Sequence, residues 1–156
     1  MRSMAAIVRS AALVCILAAF ACADAHDDVI DVVTQMAGAL TEVAGNGQSV
    51  VQGNVSRFMS AFNKDMPDYA TLEGNVTALV RQAEVSSSIQ TVSEEGDDQA
   101  RSIDLDWVMQ VRSLEQDGPI VRRREVVHCE FHKEKKHWKI VSLKPIDFFA
   151  PPKPGQ

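Results

Sequence analysis

The sequence predicts an α+β domain in which helices from the first half of the chain pack on an antiparallel meander sheet from the second half. Two observations carry this prediction. Apolar residues recur at helical spacing, every three or four positions, between residues 27 and 82. From residue 84 to residue 143 the period falls to two, as in strands whose successive side chains point to opposite faces.

Length and composition are those of one globular domain. The chain has 156 residues, of which 46% are apolar and 24% are charged, and this balance excludes a disordered polymer and a polytopic membrane protein. Sixteen Lys and Arg residues against twenty-one Asp and Glu residues give a net charge of −5. Such an acidic chain offers no general phosphate-binding surface, so we expect no nucleic-acid partner. No residue spacing matches a known catalytic signature, and none indicates a cofactor.

The first 23 residues predict a secretory signal peptide. Arg2 and Arg9 lie near its start, an uncharged run covers residues 11–21, and three overlapping Ala-x-Ala triplets follow. The run is too short and too rich in alanine for a membrane span, which needs roughly 20 strongly apolar residues. We therefore expect cleavage after Ala23, export to the periplasm or the exterior, and no integral membrane span in the mature chain.

The cysteines fit an exported domain without a disulfide framework. Cys15 lies inside the signal and Cys22 lies at its cleavage edge, so Cys129 is the cysteine that remains in the domain. Its apolar strand setting predicts a buried, inert thiol, because no neighbour is placed to activate it. The alternative for Cys22 is lipid attachment, although the preceding Phe20 fits a lipid-attachment motif poorly.

Three amphipathic helices are predicted before residue 83. The first begins at the Asp27–Asp28 pair and ends at the Gly45–Asn46–Gly47 break. The second covers about Ser49–Asn63, and the third begins at Asp65–Met66–Pro67, because Pro is tolerated in a first helical turn. The apolar stripes contain, in order, Val29, Val32, Val33, Met36, Leu40 and Val43; Val51, Val55, Phe58, Met59 and Phe62; and Tyr69, Leu72, Val76, Leu79 and Val80.

Four strands joined by short polar turns are predicted after residue 83. They cover Glu84–Ser93, Ala100–Arg112, Ile120–His132 and Lys136–Leu143. One face of this meander packs on the helices, and the other faces solvent or a partner. Residues 150–156 form a proline-rich tail, and Phe148 and Phe149 before it are predicted to anchor on the domain. The domain itself then spans residues 24–149.

Residue parity predicts which side chains of the sheet are buried. In the second strand, the odd positions are apolar and the even positions are mostly polar, so the odd face is predicted to be inward. The inward row is Ile103, Leu105, Trp107, Met109 and Val111, and the outward row includes Asp104, Asp106, Gln110 and Arg112.

Two turns set the predicted register of the last three strands. A three-residue loop at Gln116–Asp117–Gly118 pairs Trp107 with Val127, Leu105 with Cys129, Ile103 with Phe131 and Asp106 with His128. A turn at Glu134–Lys135 pairs Phe131 with Trp138, Cys129 with Ile140, His132 with His137 and Glu130 with Lys139.

Four segments carry a resemblance to a known family, and together they span about residues 27–149. They are the helix Phe58–Phe62, the turn Met66–Tyr69, the strand Asp104–Trp107 and the closing strand His137–Leu143. These segments resemble the nuclear transport factor 2-like (NTF2-like) superfamily, which includes SnoaL-like and ketosteroid isomerase-like proteins. They are also similar to small exported bacterial proteins of unassigned function. The resemblance implies a cone-shaped, cystatin-like α+β fold, whose curved sheet wraps the helices, can hold a small apolar molecule and often dimerises.

Enzymes of this superfamily place an Asp or His inside the cone, whereas the inward row of this chain is apolar. We therefore assign no catalytic residue. The ligand-pocket candidates are Tyr69, Trp107, Met109, Arg123 and Glu125. Arg123 and Glu125 share the inward parity, and they form either a contact at the pocket mouth or, as we favour, a partly exposed ion pair. For Tyr69, core packing is favoured over a hydrogen bond to a ligand.

Two groups on the outer face of the sheet have alternative interpretations. His132 and His137, with Glu130 beside them, offer too few ligands for a zinc site, so no metal is expected. Asp106 opposite His128 resembles a carboxylate that orients an imidazole. No hydroxyl or thiol nucleophile shares that row, so a surface ion pair is favoured.

The outer face is also the predicted homodimer surface. Its acidic residues Asp104 and Asp106 and its basic residues Arg122 and Arg124 can pair with a second copy across a two-fold axis. A solvated sheet explains the same alternation of apolar and charged residues, so this alternative stays open.

We therefore expect an exported, noncatalytic NTF2-like module that binds a small apolar ligand or a protein partner in the cell envelope. The alternative is a small SnoaL-like isomerase, dehydratase or cyclase that acts on an apolar substrate in the cone. A sealed apolar core favours the first function, and a cavity that reaches a buried Asp, His or Glu favours the second.

Overall fold

Three helices precede a four-stranded antiparallel sheet in the computed structural model of the protein. The structure describes residues 8–41, 48–115 and 118–153, and the surroundings of their side chains from residue 24 onward, except at 48 and 49. In chain order the elements are α1 (Val8–Thr41), α2 (Gln48–Met59), α3 (Tyr69–Gln82), β1 (Ala83–Gly96), β2 (Ala100–Ser113), β3 (Ile120–Glu134), β4 (His137–Lys144) and a 3-10 helix (Ile146–Phe149). The predicted α+β arrangement is confirmed.

Helix α1 begins at Val8, whereas the sequence pattern predicts a start at Asp27. The alanine-rich sequence between residues 11 and 25 has high helix propensity. The helix therefore forms before Asp27 and continues through it. None of the described helices combines the length and the hydropathy that crossing a bilayer requires. The predicted break at Gly45–Asn46–Gly47 lies outside the described residues.

The second half of α1 packs on the rest of the domain through one apolar stripe. Its buried side chains are Val29, Val33, Met36, Ala39 and Leu40. Among the side chains that the structure describes, the first buried one is Ala25, which is 2% exposed. The next residue, His26, contacts the Glu94 carboxylate on β1 through Nδ1, and the same carboxylate accepts a hydrogen bond from Arg101 Nε at 2.7 Å. Residues 25 and 26 are therefore part of the folded domain.

Helices α2 and α3 bury the predicted stripes. Their buried side chains are Val51, Val55, Phe58 and Met59 in α2, and Leu72, Val76, Leu79 and Val80 in α3. Helix α2 ends before Phe62, which is nevertheless buried and forms an isolated bridge with Ile140 of β4. Helix α3 begins at Tyr69 and not at Asp65, because Asp68 has a φ of 62°, in the left-handed region that a right-handed helix cannot include.

The sheet has the order β1-β2-β3-β4, and each neighbouring pair of strands is antiparallel. The predicted inward row of β2 is confirmed, since all five of its side chains are 0% exposed. The neighbouring strands add Val85, Val127, Cys129, Phe131, Trp138, Ile140 and Leu143 to this buried face. The inner face of the sheet and the three helices thus enclose one core.

The predicted register of β2 on β3 is wrong by two residues. Trp107 lies opposite Glu125 and not opposite Val127. The shift also replaces the predicted pairs of Leu105 with Cys129 and Ile103 with Phe131 by Leu105 with Val127 and Ile103 with Cys129. The last pair joins Arg112 to Ile120, so the connection is longer than the predicted three-residue loop. A shift of two keeps every side chain on its face, which explains why the burial pattern is nevertheless as predicted.

The predicted register of β3 on β4 is also wrong. The turn lies one residue later than predicted, at Lys135–Lys136, and the first of these residues has a φ of 58°. Phe131 therefore lies opposite Ile140 and not opposite Trp138. A bulge beyond this pair turns Leu143 to the inner face, where it is 2% exposed.

After β4 the chain turns back onto the core. The 3-10 helix Ile146–Phe149 carries Phe148 and Phe149, which are 5% and 0% exposed. The prediction that these two rings anchor the end of the chain is confirmed. Residues 146–150 are called the C-terminal segment below.

Candidate functional site

The candidate site is the interior space where α2, the inner face of β2 and the C-terminal segment meet. Trp107 lies at its centre, and its ring centroid is 5.1 Å from that of Phe149 and 5.9 Å from that of Phe148. Phe149 also meets Phe58 of α2, with the centroids 5.5 Å apart. These rings meet edge to face, an arrangement that the charge distribution of aromatic rings favours.

The two phenylalanine rings that fill this space do not belong to its walls. The walls are supplied by the helices and the sheet, whereas Phe148 and Phe149 arrive on a separate segment after the last strand. This segment is short, and the hydrogen bond from Ala150 N–H to the Asp147 carbonyl oxygen, at 3.0 Å, closes its single turn. The segment is thus an occupant of the interior space, placed between Trp107 and Phe58.

The Trp107 indole N–H has no hydrogen-bond partner in the described part of the chain, although its nitrogen is buried. A second unpaired buried atom, Ser87 Oγ, lies on the neighbouring strand β1, opposite Met109 in the sheet. An unsatisfied buried donor costs roughly 1–3 kcal/mol. Both groups are therefore available to a hydrogen-bonding partner that enters the interior space.

Arg123 of β3 lies directly across from Met109, at the edge of the same space. Its Nη1 donates hydrogen bonds to two backbone carbonyl oxygens of the C-terminal segment, those of Phe148 at 3.0 Å and Ala150 at 2.5 Å. Partial burial lowers the pKa of the Arg123 guanidinium. The predicted ion pair with Glu125 is not formed, because the guanidinium turns to the carbonyl oxygens of the segment instead. The side chain of Glu125 is exposed.

Three of the five ligand-pocket candidates thus surround one space, namely Trp107, Met109 and Arg123. Glu125 lies opposite Trp107 in the sheet but exposes its side chain. Tyr69 lines a different cleft, of about 620 Å³, between the helices and the β3–β4 hairpin. There it is half-buried, and desolvation, followed by the nearby charge of Glu73, raises the pKa of its hydroxyl. Tyr69 is therefore not placed to act with the other candidates.

Solved structures with this architecture are NTF2-like and SnoaL-like. A conserved protein from Planctomyces limnophilus superimposes with a TM-score of 0.56 at 11% identity, over 76% of this chain and 91% of that one. A proposed aromatic ring hydroxylase from Novosphingobium aromaticivorans superimposes with a TM-score of 0.57 at 14% identity, over 79% of this chain and 94% of that one. A type 2 hexachlorocyclohexane dehydrochlorinase (LinA) superimposes with a TM-score of 0.52 at 11% identity, over 76% of this chain and 84% of that one. The protein has an NTF2-like fold.

Sequence comparison assigns neither a family nor a function to this NTF2-like domain. No protein-family model matches the chain, and the search of curated proteins returns no significant match. Structural similarity at 11–14% identity establishes the fold alone. The predicted NTF2-like fold is confirmed, and the interior space lies between its helices and the inner face of its sheet.

The buried thiol of the NTF2-like domain is unreactive at neutral pH. Cys129 is 0% exposed, and burial, with a smaller contribution from the charge of Asp104, raises its pKa to about 12. A thiol with this pKa is protonated at neutral pH and is not a nucleophile. The prediction of a buried Cys129 is confirmed.

On the outer face of the sheet, Asp104 and not Asp106 is the partner of His128, because of the two-residue shift in register. Asp104 Oδ1 lies 2.6 Å from His128 Nδ1, and Ser93 Oγ donates to Asp104 Oδ2 at 2.7 Å. These two bonds, His128 first, lower the pKa of Asp104. Asp106 instead accepts two hydrogen bonds from Arg124, at 2.9 and 2.7 Å. Since the Ser93 hydroxyl bonds to the carboxylate and not to the imidazole, these residues do not form an activated nucleophile.

The histidines near the β3–β4 turn are not cross-strand neighbours. His132 lies opposite Lys139, and His137 lies opposite Glu134, because the turn is shifted by one residue. Glu130 consequently loses its predicted partner Lys139. Within residues 8–41, 48–115 and 118–153, no three side chains of metal-ligating type come together.

The sequence did not indicate that the C-terminal segment belongs to the candidate site. The segment is marked in the sequence by the pair Phe148–Phe149 after Pro145. This pair indicates that the end of the chain is anchored, but it does not indicate where the two rings pack. The carbonyl oxygens that bind Arg123 carry no sequence signal, because every residue has one.

Proposed function

We propose that this NTF2-like domain binds a small apolar ligand inside its cone, in the place that Phe148 and Phe149 fill in this structure. The observation that carries the proposal is the unpaired Trp107 N–H beneath two rings that arrive on a separate, short segment. A site that is filled by a docked segment can be filled by another apolar group of similar size.

Exchange of the segment for a ligand is energetically reasonable. Burial of a side chain of the size of Phe contributes about 1.5–3 kcal/mol, and a ligand with comparable apolar surface recovers this contribution. Short elements with few backbone hydrogen bonds also open at free energies below that of global unfolding. In addition, a ligand that carries an acceptor satisfies the Trp107 N–H, which the phenyl rings leave unpaired.

An enzymatic function is the second candidate, because the LinA dehydrochlorinase, which shares the fold, is named as an enzyme. It requires a titratable group in the cone. Among the described residues, Asn54 is the one polar residue in the buried core, and no Asp, Glu or His joins it there. The protonated thiol of Cys129 supplies no base either. These observations favour a binding module over an enzyme.

We also propose that the domain is exported after cleavage of residues 1–23. Ala25 is buried and His26 contacts Glu94, and a cut after Ala23 leaves both residues in the mature chain. The mass of the protein recovered from the exterior or the periplasm of an expressing bacterium tests this. A mass that corresponds to a chain starting at Asp24 is expected, and either an uncleaved chain or a lipid on Cys22 contradicts the proposal.

The outer face of the sheet supports a further proposal, that it pairs with a second copy of the chain. Its β2 carries the acidic residues Asp104 and Asp106, and its β3 carries the basic residues Arg122 and Arg124, of which Arg124 binds Asp106. Val126, opposite Asp106, is 53% exposed. A two-fold axis through this face sets the acidic strand of one copy against the basic strand of the other.

Ligand binding in the cone is tested with N-phenyl-1-naphthylamine, a neutral apolar dye that fluoresces strongly in apolar surroundings. We expect saturable binding of one dye per chain, with energy transfer from Trp107 that the Trp107→Phe variant reduces. Val126→Ala on the outer face is the matched control and should leave binding unchanged. Absence of saturable binding, or its loss in Val126→Ala alone, contradicts the proposed site.

A further inference from the structure

We propose that the ligand of the cone is a small apolar organic acid, whose anionic group binds Arg123 in place of the carbonyl oxygens of Phe148 and Ala150. This inference rests on the proposed function and adds to it the chemical class of the ligand. It also assigns a role to the C-terminal segment, which occupies the same site when no ligand is bound.

The first support is the electrostatic situation of Arg123. Its guanidinium is half-buried, and its hydrogen bonds run to two neutral carbonyl oxygens of the segment. No carboxylate of the described residues pairs with it, in contrast to Arg101 and Arg124, which bind Glu94 and Asp106. A cation that is partly removed from water without a counter-charge binds an anion favourably.

The second support is the kind of polar group that lines the interior. Ser87, Met109 and Arg123 form one row across strands β1, β2 and β3, and Trp107 is the next inward residue on β2. The polar groups among them are the Ser87 hydroxyl, the Trp107 N–H and the Arg123 guanidinium, and each can donate a hydrogen bond. A set of donors without a carboxylate matches a ligand that carries acceptors and negative charge.

The third support is the resemblance of the C-terminal segment to such a ligand. The carbonyl oxygens of Phe148 and Ala150 accept hydrogen bonds from Nη1 of the guanidinium, where an oxygen of an acid can accept one instead. The aromatic rings of Phe148 and Phe149 next to them fill the apolar space, as the body of the ligand would. An ionised acid adds a counter-charge to these hydrogen bonds, which a neutral carbonyl oxygen does not, so it can displace the segment where a neutral compound lacks this advantage.

The alternative role for Arg123 is purely structural, as a fastening for the end of the chain. The two roles make opposite predictions for an anionic ligand. If Arg123 only fastens the segment, its removal loosens the segment and admits any apolar compound more readily. If Arg123 binds the acid, its removal weakens the binding of anions selectively.

The experiment compares two dyes that share one aromatic body, the anionic 8-anilinonaphthalene-1-sulfonate and the neutral N-phenyl-1-naphthylamine. Both are titrated into the full chain, into Arg123→Gln and into Arg122→Gln. The last variant is the matched control, because it removes the same charge from the neighbouring residue on the outer face. Thermal unfolding of each variant is recorded alongside, so that dye binding to unfolded chains is recognised.

We expect Arg123→Gln to weaken binding of the sulfonate dye about 10-fold or more, the loss of one charge-assisted hydrogen bond. Binding of the neutral dye should be unchanged or tighter in that variant, and Arg122→Gln should match the wild type for both dyes. A parallel change for both dyes in Arg123→Gln overturns the inference but leaves the proposed function standing. Absence of saturable binding of either dye to any of the proteins defeats the proposed function itself.

A second measurement on the wild type does not depend on the folding of a variant. Hydrogen exchange at the backbone amides of residues 146–150 is followed with and without the sulfonate dye. Ligands normally slow exchange near their site, but displacement of the segment should accelerate exchange at these amides. Slower or unchanged exchange there, at saturating dye, overturns the inference.

Discussion

The ring of Phe149 meets the indole of Trp107 edge to face, with 5.1 Å between the centroids and 83° between the planes. Trp107 lies in β2, a central strand of the sheet, and Phe149 belongs to the C-terminal segment. Their contact therefore joins the central strand β2 to the C-terminal segment. The strength of this contact affects both the stability of the core and the opening of the C-terminal segment.

Replacement of Trp107 by Ala should lower the free energy of unfolding by about 3–5 kcal/mol, as expected when a large aromatic side chain is deleted from a core. Trp107 is 0% exposed and contacts two rings of the C-terminal segment. Urea denaturation of the variant measures the change, with Val126→Ala on the exposed face as control. A loss below about 1 kcal/mol would show that the inner face is not packed as described.

The C-terminal segment should open without unfolding of the sheet. Its amides at Phe149 and Ala150 lie in a single turn, whereas that of Trp107 lies in a central strand. We expect the first two to exchange at least about 100-fold faster, a ratio that corresponds to a difference of about 2.8 kcal/mol in opening free energy. Native-state hydrogen exchange measures these rates. Equal protection of all three amides would mean that the segment leaves only when the whole domain unfolds.

The stability of the domain should fall in acid, in part through Asp104. Hydrogen bonds from His128 and then from Ser93 lower the pKa of this carboxyl in the folded state. The folded chain therefore binds its proton more weakly than the unfolded chain, so the stabilisation is fully present above about pH 4 and is lost as the pH falls through the folded value.

The variant Asp104→Asn should accordingly show a shallower loss of stability between about pH 5 and pH 2 than the wild type. The effect is small because the carboxylate is partly exposed and screened by solvent. Gln110→Ala, an uncharged change on the same strand and face, is the control. Identical pH profiles for wild type and Asp104→Asn in urea unfolding would contradict the contribution of this residue.

Periodicity and parity were sufficient to predict the elements and the buried face of the sheet. The inward row centred on Trp107 follows from alternation alone, because the two faces of a strand differ in polarity over many residues. The register could not be obtained in the same way. It depends on the length and position of two turns. The β2–β3 connection is longer than the predicted loop, which moved His128 from Asp106 to Asp104, and the β3–β4 turn lies one residue later than predicted.

The candidate site was predictable only in part, for a physical reason. Trp107, Met109 and Arg123 share one face and were identified as candidates from sequence. The docking of Phe148 and Phe149 depends on the shape of the whole core, and the partners of Arg123 are backbone atoms. Neither feature leaves a pattern in the local sequence.

If the outer face joins two copies, Arg124→Glu should shift the protein toward the monomer. The change breaks the two hydrogen bonds to Asp106 and sets like charges together on a face that otherwise pairs opposite ones. The wild-type dimer should also weaken as salt rises, since charges are screened over about 8 Å at physiological ionic strength.

Sedimentation velocity of wild type and Arg124→Glu at low and high salt measures this equilibrium. Arg112→Glu provides the same charge change farther along β2 and should have the smaller effect. A wild type that is monomeric at every concentration and salt tested rules out the dimer and leaves a solvated outer face.

The most direct test of ligand binding in the cone is the nuclear magnetic resonance signal of the Trp107 indole N–H during titration with 8-anilinonaphthalene-1-sulfonate. The Trp138 indole N–H, also buried and unpaired but on β4, serves as an internal reference. We predict that the Trp107 signal shifts with saturation at one dye per chain and that the Trp138 signal stays in place. A Trp107 signal that does not move while the dye saturates the protein would contradict binding in the cone.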